Sequence, residues 1–236
     1  MSRHFYGELE FPATEKGPFV ACNMVVSLDG KVTADGRQPS SLGSSFDALT
    51  MNVIRSHFDA VLAGGNTIRQ FPFYLGVRPE LTVIRETKGL ESQPLTIILT
   101  QSGELPVNGS LFKNPPRPPL IITSQVGAQK LAKTVVAQST VEILEELNAA
   151  NISSLLSEKY QVQRLLIEGG PSVNYQFIQA KLLRELFLTI SPQLIGKRTD
   201  LSLAMGDQVL DSASEVKLLS VNQHDNEVFL RYRFSW

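Results

Sequence analysis

The residues best suited to chemistry lie in one short stretch, 164–176, with the sequence RLLIEGGPSVNYQ. Its apolar run 165–167 has the length and composition of a β-strand, and Glu168 places a carboxylate at the strand end. Two glycines and a proline follow, and Ser172 is a residue type that often caps a helix. A helix start carries N–H groups without partners inside the helix, and glycines allow a close backbone approach, so this unit is suited to binding a phosphate. Taken alone, such a turn more often only ends a strand.

Two other strand ends carry similar turns. Phe19–Val26 is a continuous apolar strand and leads into SLDGK at 27–31. A second apolar strand at 59–63 leads into GGNT at 64–67. If these strands and the strand before Glu168 are parallel, their loops lie at the same edge of the sheet, where α/β proteins bind ligands. The sequence therefore predicts one crevice for a ligand that carries an anionic group.

The elements that position these loops follow from hydrophobic periodicity. Residues 70–93 are expected to be irregular, 103–119 to form a proline-rich surface loop, and 141–147 to be either strand or helix. Strands are expected at 95–100, 120–124, 134–137, 185–190, 215–222 and 227–234, and helices at 45–57, 126–133, 149–160 and 172–181. Strands alternating with helices predict an α/β fold: a mostly parallel twisted sheet with helices on both faces and an antiparallel C-terminal edge.

Composition narrows the class of protein. The 236 residues are 42% hydrophobic and 19% charged, with a net charge of −1 and no cluster of basic residues, so we expect no nucleic-acid partner. No apolar run approaches the roughly 20 residues that cross a bilayer, and the first 18 residues do not resemble a signal peptide. Cys22 is the only cysteine, which excludes an internal disulfide and a zinc site built from thiolates. We expect a soluble, cytoplasmic, metal-free protein with an N-terminal arm at 1–18, one domain at 19–236, and an inert Cys22 in its core.

Taken together, the motifs resemble those of the RibD C-terminal family, the pyrimidine reductases of riboflavin biosynthesis. The resemblance depends on Asn23 followed by SLDGK, on DAVLAGGNTIR at 59–69, on LLIEGGPSVN at 165–174 and on LFLTISPQLIG at 186–196. It implies a dihydrofolate-reductase-like fold and a homodimer. It also implies that NADPH reduces the ribosylamino group of a pyrimidine 5′-phosphate to a ribitylamino group.

The same resemblance implies a set of site residues. The expected NADPH contacts are Val25, Thr67, Gly169, Gly170, Pro171, Ser172, Val173, Asn174, Tyr175 and Gln176. The expected substrate contacts are Ser40, Arg55, Leu75, Arg78 and Glu168, with the two arginines each giving the substrate phosphate two hydrogen bonds. No catalytic residue is assigned.

Two features leave alternatives open. Family members usually carry Asp-Asp-Pro in the loop beside the nicotinamide, where this chain has Gln70, Phe71 and Pro72. The chain is therefore either the riboflavin-pathway reductase, a reductase of the same fold with another small substrate such as a pterin, or a homologue that binds ligand without catalysis. Asp29 either contacts the substrate or closes its own Asp-Gly turn.

Overall fold

The computed structural model describes residues 4–12, 14, 16–32, 42–210 and 215–236. The strands in these ranges are β1 (Phe19–Val26), β2 (Ala60–Gly64), β3 (Leu95–Thr100), β4 (Leu120–Thr123), β5 (Thr140–Ile143), β6 (Arg164–Ile167), β7 (Leu183–Ile190), β8 (Val216–His224) and β9 (Glu227–Phe234). The helices are α1 (Ser45–Arg55), α2 (Gly65–Gln70), α3 (Pro79–Thr87), α4 (Gln125–Lys130), α5 (Lys133–Ala137), α6 (Ala149–Glu158) and α7 (Pro171–Gln179).

The described strands form a single sheet in the order β5-β4-β3-β2-β6-β1-β7-β9-β8. From β5 to β7 every neighbouring pair is parallel, whereas β7 pairs with β9, and β9 with β8, in the antiparallel direction. The last two strands need no crossover helix because a tight turn joins them. The predicted fold class is confirmed.

Helices cover both faces of the sheet, which explains why the central strands are continuous apolar runs. On one face, Ile152 of α6 and Phe177 of α7 are buried in the core. On the other face, Ile54 of α1, Ile68 of α2 and Val135 of α5 are buried. The carboxyl ends of the parallel strands are therefore held between two packed layers.

The described part of the N-terminal arm packs onto the α1 face. Tyr6 is only 3% exposed, and Phe5, Leu9 and Phe11 pack against the same core. The expectation of an arm laid on the body of the protein fits residues 4–12, and the domain boundary at residue 19 stays a prediction.

Three local predictions are wrong. The segment expected to be irregular contains α3, which begins at Pro79, because proline has a backbone angle suited to the first turn of a helix. The strand expected at 134–137 is helix α5, since packing of Val135 into the core outweighs the strand preference of its β-branched residues. The loop at 103–119 is not only a surface excursion, because a 3-10 turn buries Leu111 and Phe112.

Candidate functional site

The three glycine-bearing turns meet at one edge of the sheet. Strands β2, β6 and β1 are parallel neighbours, with Ile167 in register with both Leu62 and Cys22. Their carboxyl ends therefore point the same way. Gly64, at the end of β2, donates its N–H to the carbonyl of Gly169, 2.9 Å away. The predicted convergence of the turns after β1, β2 and β6 is confirmed.

Two helices begin at this edge. Helix α2 starts directly after Gly64 and α7 directly after Gly170, and neither of these N-cap residues has a side-chain hydrogen bond to cap its helix. The prediction of Ser172 as the N-cap is wrong, because the proline at position 171 occupies the first helical position and moves the cap to Gly170. Ser172 is exposed in the first turn of α7. Both helix starts offer N–H groups and the positive end of the helix dipole to the same space.

The glycines make this arrangement possible. Gly169 has a φ of +85°, a conformation that side chains disfavour. A Cβ on Gly170 would lie 3.4 Å from the hydroxyl oxygen of Thr67, and one on Gly64 would lie 3.2 Å from a methyl group of Val173. A side chain at position 64 would thus require Val173 to shift, whereas a Cβ at position 170 would make an ordinary contact with Thr67. This cradle fits the pyrophosphate of a dinucleotide.

The structure places two of the expected cofactor residues elsewhere. The Asn174 side chain is 1% exposed; its amide donates to the carbonyl of Leu203 at 2.7 Å and accepts from the Cys22 thiol at 3.4 Å. The hydroxyl of Tyr175 donates to the carbonyl of Gln208. These side chains hold the segment after β7 against α7. Their predicted contact with the cofactor is therefore limited to their main chain.

The other expected cofactor residues differ in how deeply they are buried. Val173 is buried in the core, and Val25 is half-buried in β1 opposite Thr189 of β7. The side-chain oxygen of Gln176 is buried without a hydrogen-bond partner among the described residues. Pro171 is half-buried at the start of α7. Of the expected residues of α7, Ser172 is the one in the first turn whose side chain is exposed.

Arg55 and Glu168 form a buried ion pair at the end of β6. Arg55 Nε donates to Glu168 Oε1 at 2.7 Å and Nη2 donates to Oε2 at 2.5 Å, while Nη1 donates to the carbonyl of Gly76 at 2.9 Å. Each side chain of the pair is 8% exposed. The two expected substrate residues are thus paired with each other. Glu168 occupies the Nε/Nη2 edge of the guanidinium, and the expected contact of Arg55 with a phosphate stays a prediction.

The remaining expected substrate residues differ in accessibility. Arg78 is the N-cap of α3 and is exposed, and within the described ranges its guanidinium forms no ion pair or hydrogen bond. Its backbone N–H donates to the side chain of Asn52 at 3.1 Å. Leu75, which precedes Arg78 in the same segment of the chain, is buried. Ser40 lies outside the described residues.

Asp29 holds a loop. Its carboxylate accepts hydrogen bonds from the backbone N–H groups of Ile195 (3.0 Å) and Gly196 (2.7 Å) and from the Ser27 hydroxyl (2.7 Å). These bonds hold the pKa of the Asp29 carboxyl well below its usual range. The structure therefore favours the structural alternative, in which Asp29 ties the turn after β1 to the loop after β7.

Sequence reasoning missed Asp47, which lies in the first turn of α1. Its carboxyl is half-buried. Burial, together with the nearby charges of Glu227 and Glu168, raises its pKa to about 6, against a lowering effect of a hydrogen bond with Thr189. An acidic residue in a first turn normally indicates only a favourable helix start, so the sequence carried no signal of the raised pKa of Asp47.

The described residues contain no helix long and apolar enough to cross a bilayer. In the same part of the chain, no three His, Cys, Asp or Glu side chains are grouped as a metal site would require. Cys22 is fully buried, and burial raises the pKa of its thiol.

Comparisons with known proteins agree with this geometry. Residues 18–230 match the profile of the RibD C-terminal domain. A 2,5-diamino-6-ribosylamino-4(3H)-pyrimidinone 5′-phosphate reductase from Archaeoglobus fulgidus is 23% identical over 209 residues, 87% of this chain and 94% of that protein. The riboflavin biosynthesis protein RibD of Aquifex aeolicus is 27% identical over 204 residues, and the match covers 86% of this chain but only 53% of that longer protein.

A solved structure has the same fold. A pyrimidine reductase-like protein from Corynebacterium diphtheriae superposes with a TM-score of 0.81 at 22% identity, covering 93% of this chain and 92% of that one. The family profile matches nearly the whole chain, and the solved structure shows the same fold. The chain belongs to the RibD C-terminal domain family.

Proposed function

We propose that this protein is an NADPH-dependent reductase of riboflavin biosynthesis. It reduces the ribosylamino group of a pyrimidine 5′-phosphate to a ribitylamino group. The observation that carries the proposal is the convergence of the glycine turns at the start of α7, beside the buried Arg55–Glu168 pair. Relatives that are named as reductases of this substrate class and match most of the chain support it.

The cofactor lies with its pyrophosphate against the turn at Gly169 and Gly170, beside the first turn of α7 and the hydroxyl of Thr67. When bound, the nicotinamide supplies the hydride, and the protein supplies position and electrostatics. The preference for NADPH over NADH rests on the family resemblance.

The substrate lies on the α1 side of the same edge. The exposed guanidinium of Arg78 is available for the 5′-phosphate, whereas one edge of the Arg55 guanidinium is occupied by Glu168. The Glu168 carboxylate, fixed by Arg55, is held in a single orientation at the end of β6 and accepts hydrogen bonds from polar groups of the pyrimidine. Roles for Leu75 and Ser40 stay predictions.

One observation favours a second candidate, a reductase of the same fold with a different substrate. Where the family usually has two acidic residues, this chain has Gln70 and Phe71, and Phe71 is half-buried directly after α2. An apolar ring there changes the surroundings of the nicotinamide and thus the substrate that the site accepts.

A homodimer is also part of the proposal. The edge strand β8 exposes Val216 (41%), Leu218 (47%) and Val221 (57%), and an apolar edge strand is a common surface for pairing with a second copy. The cytoplasmic location expected from the sequence stays a prediction.

The test is turnover. Purified protein is mixed with NADPH and 5-amino-6-(5-phosphoribosylamino)uracil or its 2,5-diaminopyrimidinone counterpart, and the absorbance of NADPH is followed while the ribitylamino product is identified by mass spectrometry. The proposal expects NADPH oxidation matched one to one by product. Binding of NADPH without oxidation on either compound would contradict it and favour another substrate or a binding function.

A further inference from the structure

The proposed reaction consumes one proton, and the structure offers a residue to supply it. Asp47 projects from the first turn of α1, near the carboxyl end of β7, where it interacts with the hydroxyl of Thr189. Thr189 is paired with Val25 of β1, so this hydroxyl belongs to the same sheet edge as the glycine turns. Asp47 therefore lies at the edge of the sheet where the glycine turns meet, next to β7, which is two strands from β6.

The position of Asp47 is fixed from several sides. The N-cap Ser44 accepts from the N–H of Asp47 and donates its own hydroxyl to Glu227 at 2.5 Å, which joins the start of α1 to β9. A Cβ on Gly43 would clash with the Asp47 carboxylate. A side chain at position 43 would therefore force the Asp47 carboxylate into another orientation.

The charges around Asp47 favour its protonated form. Glu168 at the end of β6 and Glu227 at the start of β9 both disfavour the charged form of Asp47. The guanidinium of Arg55 is bound to Glu168, so its charge is already paired. Burial and these two carboxylates keep the pKa of Asp47 at about 6, close to the operating pH, where general acids are most effective.

We propose that Asp47 is the catalytic general acid of the reduction, donating a proton to the sugar ring oxygen of the substrate. This inference rests on the function proposed above. The lone pair of the exocyclic nitrogen forms a C1′=N bond as the C1′–O4′ bond breaks, and O4′ takes the proton of Asp47 to become the 4′-hydroxyl. Hydride then adds to C1′, and the electron pair of the C=N bond returns to nitrogen. The Asp47 carboxylate regains its proton from water, so one hydride and one proton are consumed.

A purely structural role for Asp47 is the main rival, because an acid in the first turn also stabilises its helix. Three variants separate the two roles: Asp47→Asn, Asp47→Glu, and the control Glu80→Gln. Glu80 is the matching first-turn acid of α3 and is exposed. If Asp47 is the general acid, Asp47→Asn lowers kcat by about 10²–10⁴-fold with little change in NADPH affinity. Asp47→Glu then retains part of the rate, and Glu80→Gln leaves it unchanged.

The pH dependence supplies a second readout. The wild-type kcat is expected to fall as pH rises through the pKa of Asp47 in the complex, and this limb is absent in Asp47→Asn. In the protein without ligands, carboxyl NMR titration should give a group near pH 6 that disappears in Asp47→Asn. A variant with wild-type kcat and an unchanged pH profile would overturn the inference while leaving the reductase proposal intact. If the wild-type protein turns over no substrate, the reductase proposal and this inference fail together.

Discussion

The ion pair between Arg55 and Glu168 allows a quantitative test of how the site is built. Its two hydrogen bonds are 2.7 and 2.5 Å long, and both side chains are 8% exposed, so the pair belongs to the buried class. Removing one partner of such a pair leaves an unpaired buried charge and costs about 3–5 kcal/mol. We therefore expect Arg55→Met and Glu168→Leu each to lower the free energy of unfolding by about that amount. The double variant should lose much less than the sum.

The assay is urea denaturation of the four proteins of this double-mutant cycle, with a coupling energy of about 2–3 kcal/mol expected. The chain provides a matched control in the pair Lys159–Glu142, which has a similar separation of 2.6 Å but a lysine that is 60% exposed. Exposed pairs contribute about 0.2–1 kcal/mol, so the control cycle should give a value in that range. Equal coupling in the two cycles, or coupling below about 0.5 kcal/mol at Arg55 and Glu168, would refute the argument that burial makes this pair strong.

Three further predictions follow from the site. Replacing Arg78 by alanine should raise KM for the phosphorylated substrate at least tenfold without changing the Kd of NADPH, and an unchanged KM would remove the arginine from the phosphate site. Because Cys22 is buried and its thiol pKa is raised, a thiol-specific reagent should label it only after unfolding, and rapid labelling of the folded protein would contradict the structure. In the folded protein the pKa of Asp47 is raised from 3.8 to about 6. The free energy of unfolding of the wild type, relative to that of Asp47→Asn, should therefore fall as pH rises from about 4 to 6 and stay constant above pH 7. If the difference in unfolding free energy between the two proteins does not depend on pH, the pKa of Asp47 is normal.

The strands of the core were predictable from the sequence because burial on both faces produces continuous apolar runs. The bounds of β1 and β3 agree with the prediction at every residue. Helix α3 was missed because only Leu81 and Arg85 of its nine residues are buried, which gives little periodicity to recognise.

The contact partners of the polar side chains were less predictable from the sequence. Arg55 and Glu168 are 113 positions apart, and Cys22 and Asn174 are 152 apart, so their pairing depends on how the sheet is ordered. The family resemblance assigned Asn174 to the cofactor, yet helix periodicity turns its side chain into the core. For Asp47 no role was expected from the sequence, because an aspartate in the first turn of a helix is ordinary.

The central claim is that the glycine turn at the start of α7 binds the dinucleotide. The most direct measurement is an equilibrium titration with NADPH, followed by nicotinamide fluorescence, of the wild type and of Gly170→Val. The valine would place a side chain against Thr67, in the space proposed for the pyrophosphate. The control is Gln179→Val, at the exposed far end of the same helix.

With all three proteins shown to be folded by circular dichroism, the account predicts binding by the wild type and by Gln179→Val, and at least a tenfold weaker Kd for Gly170→Val. Equal affinity of all three proteins, or no binding of NADPH by the wild type, would contradict it.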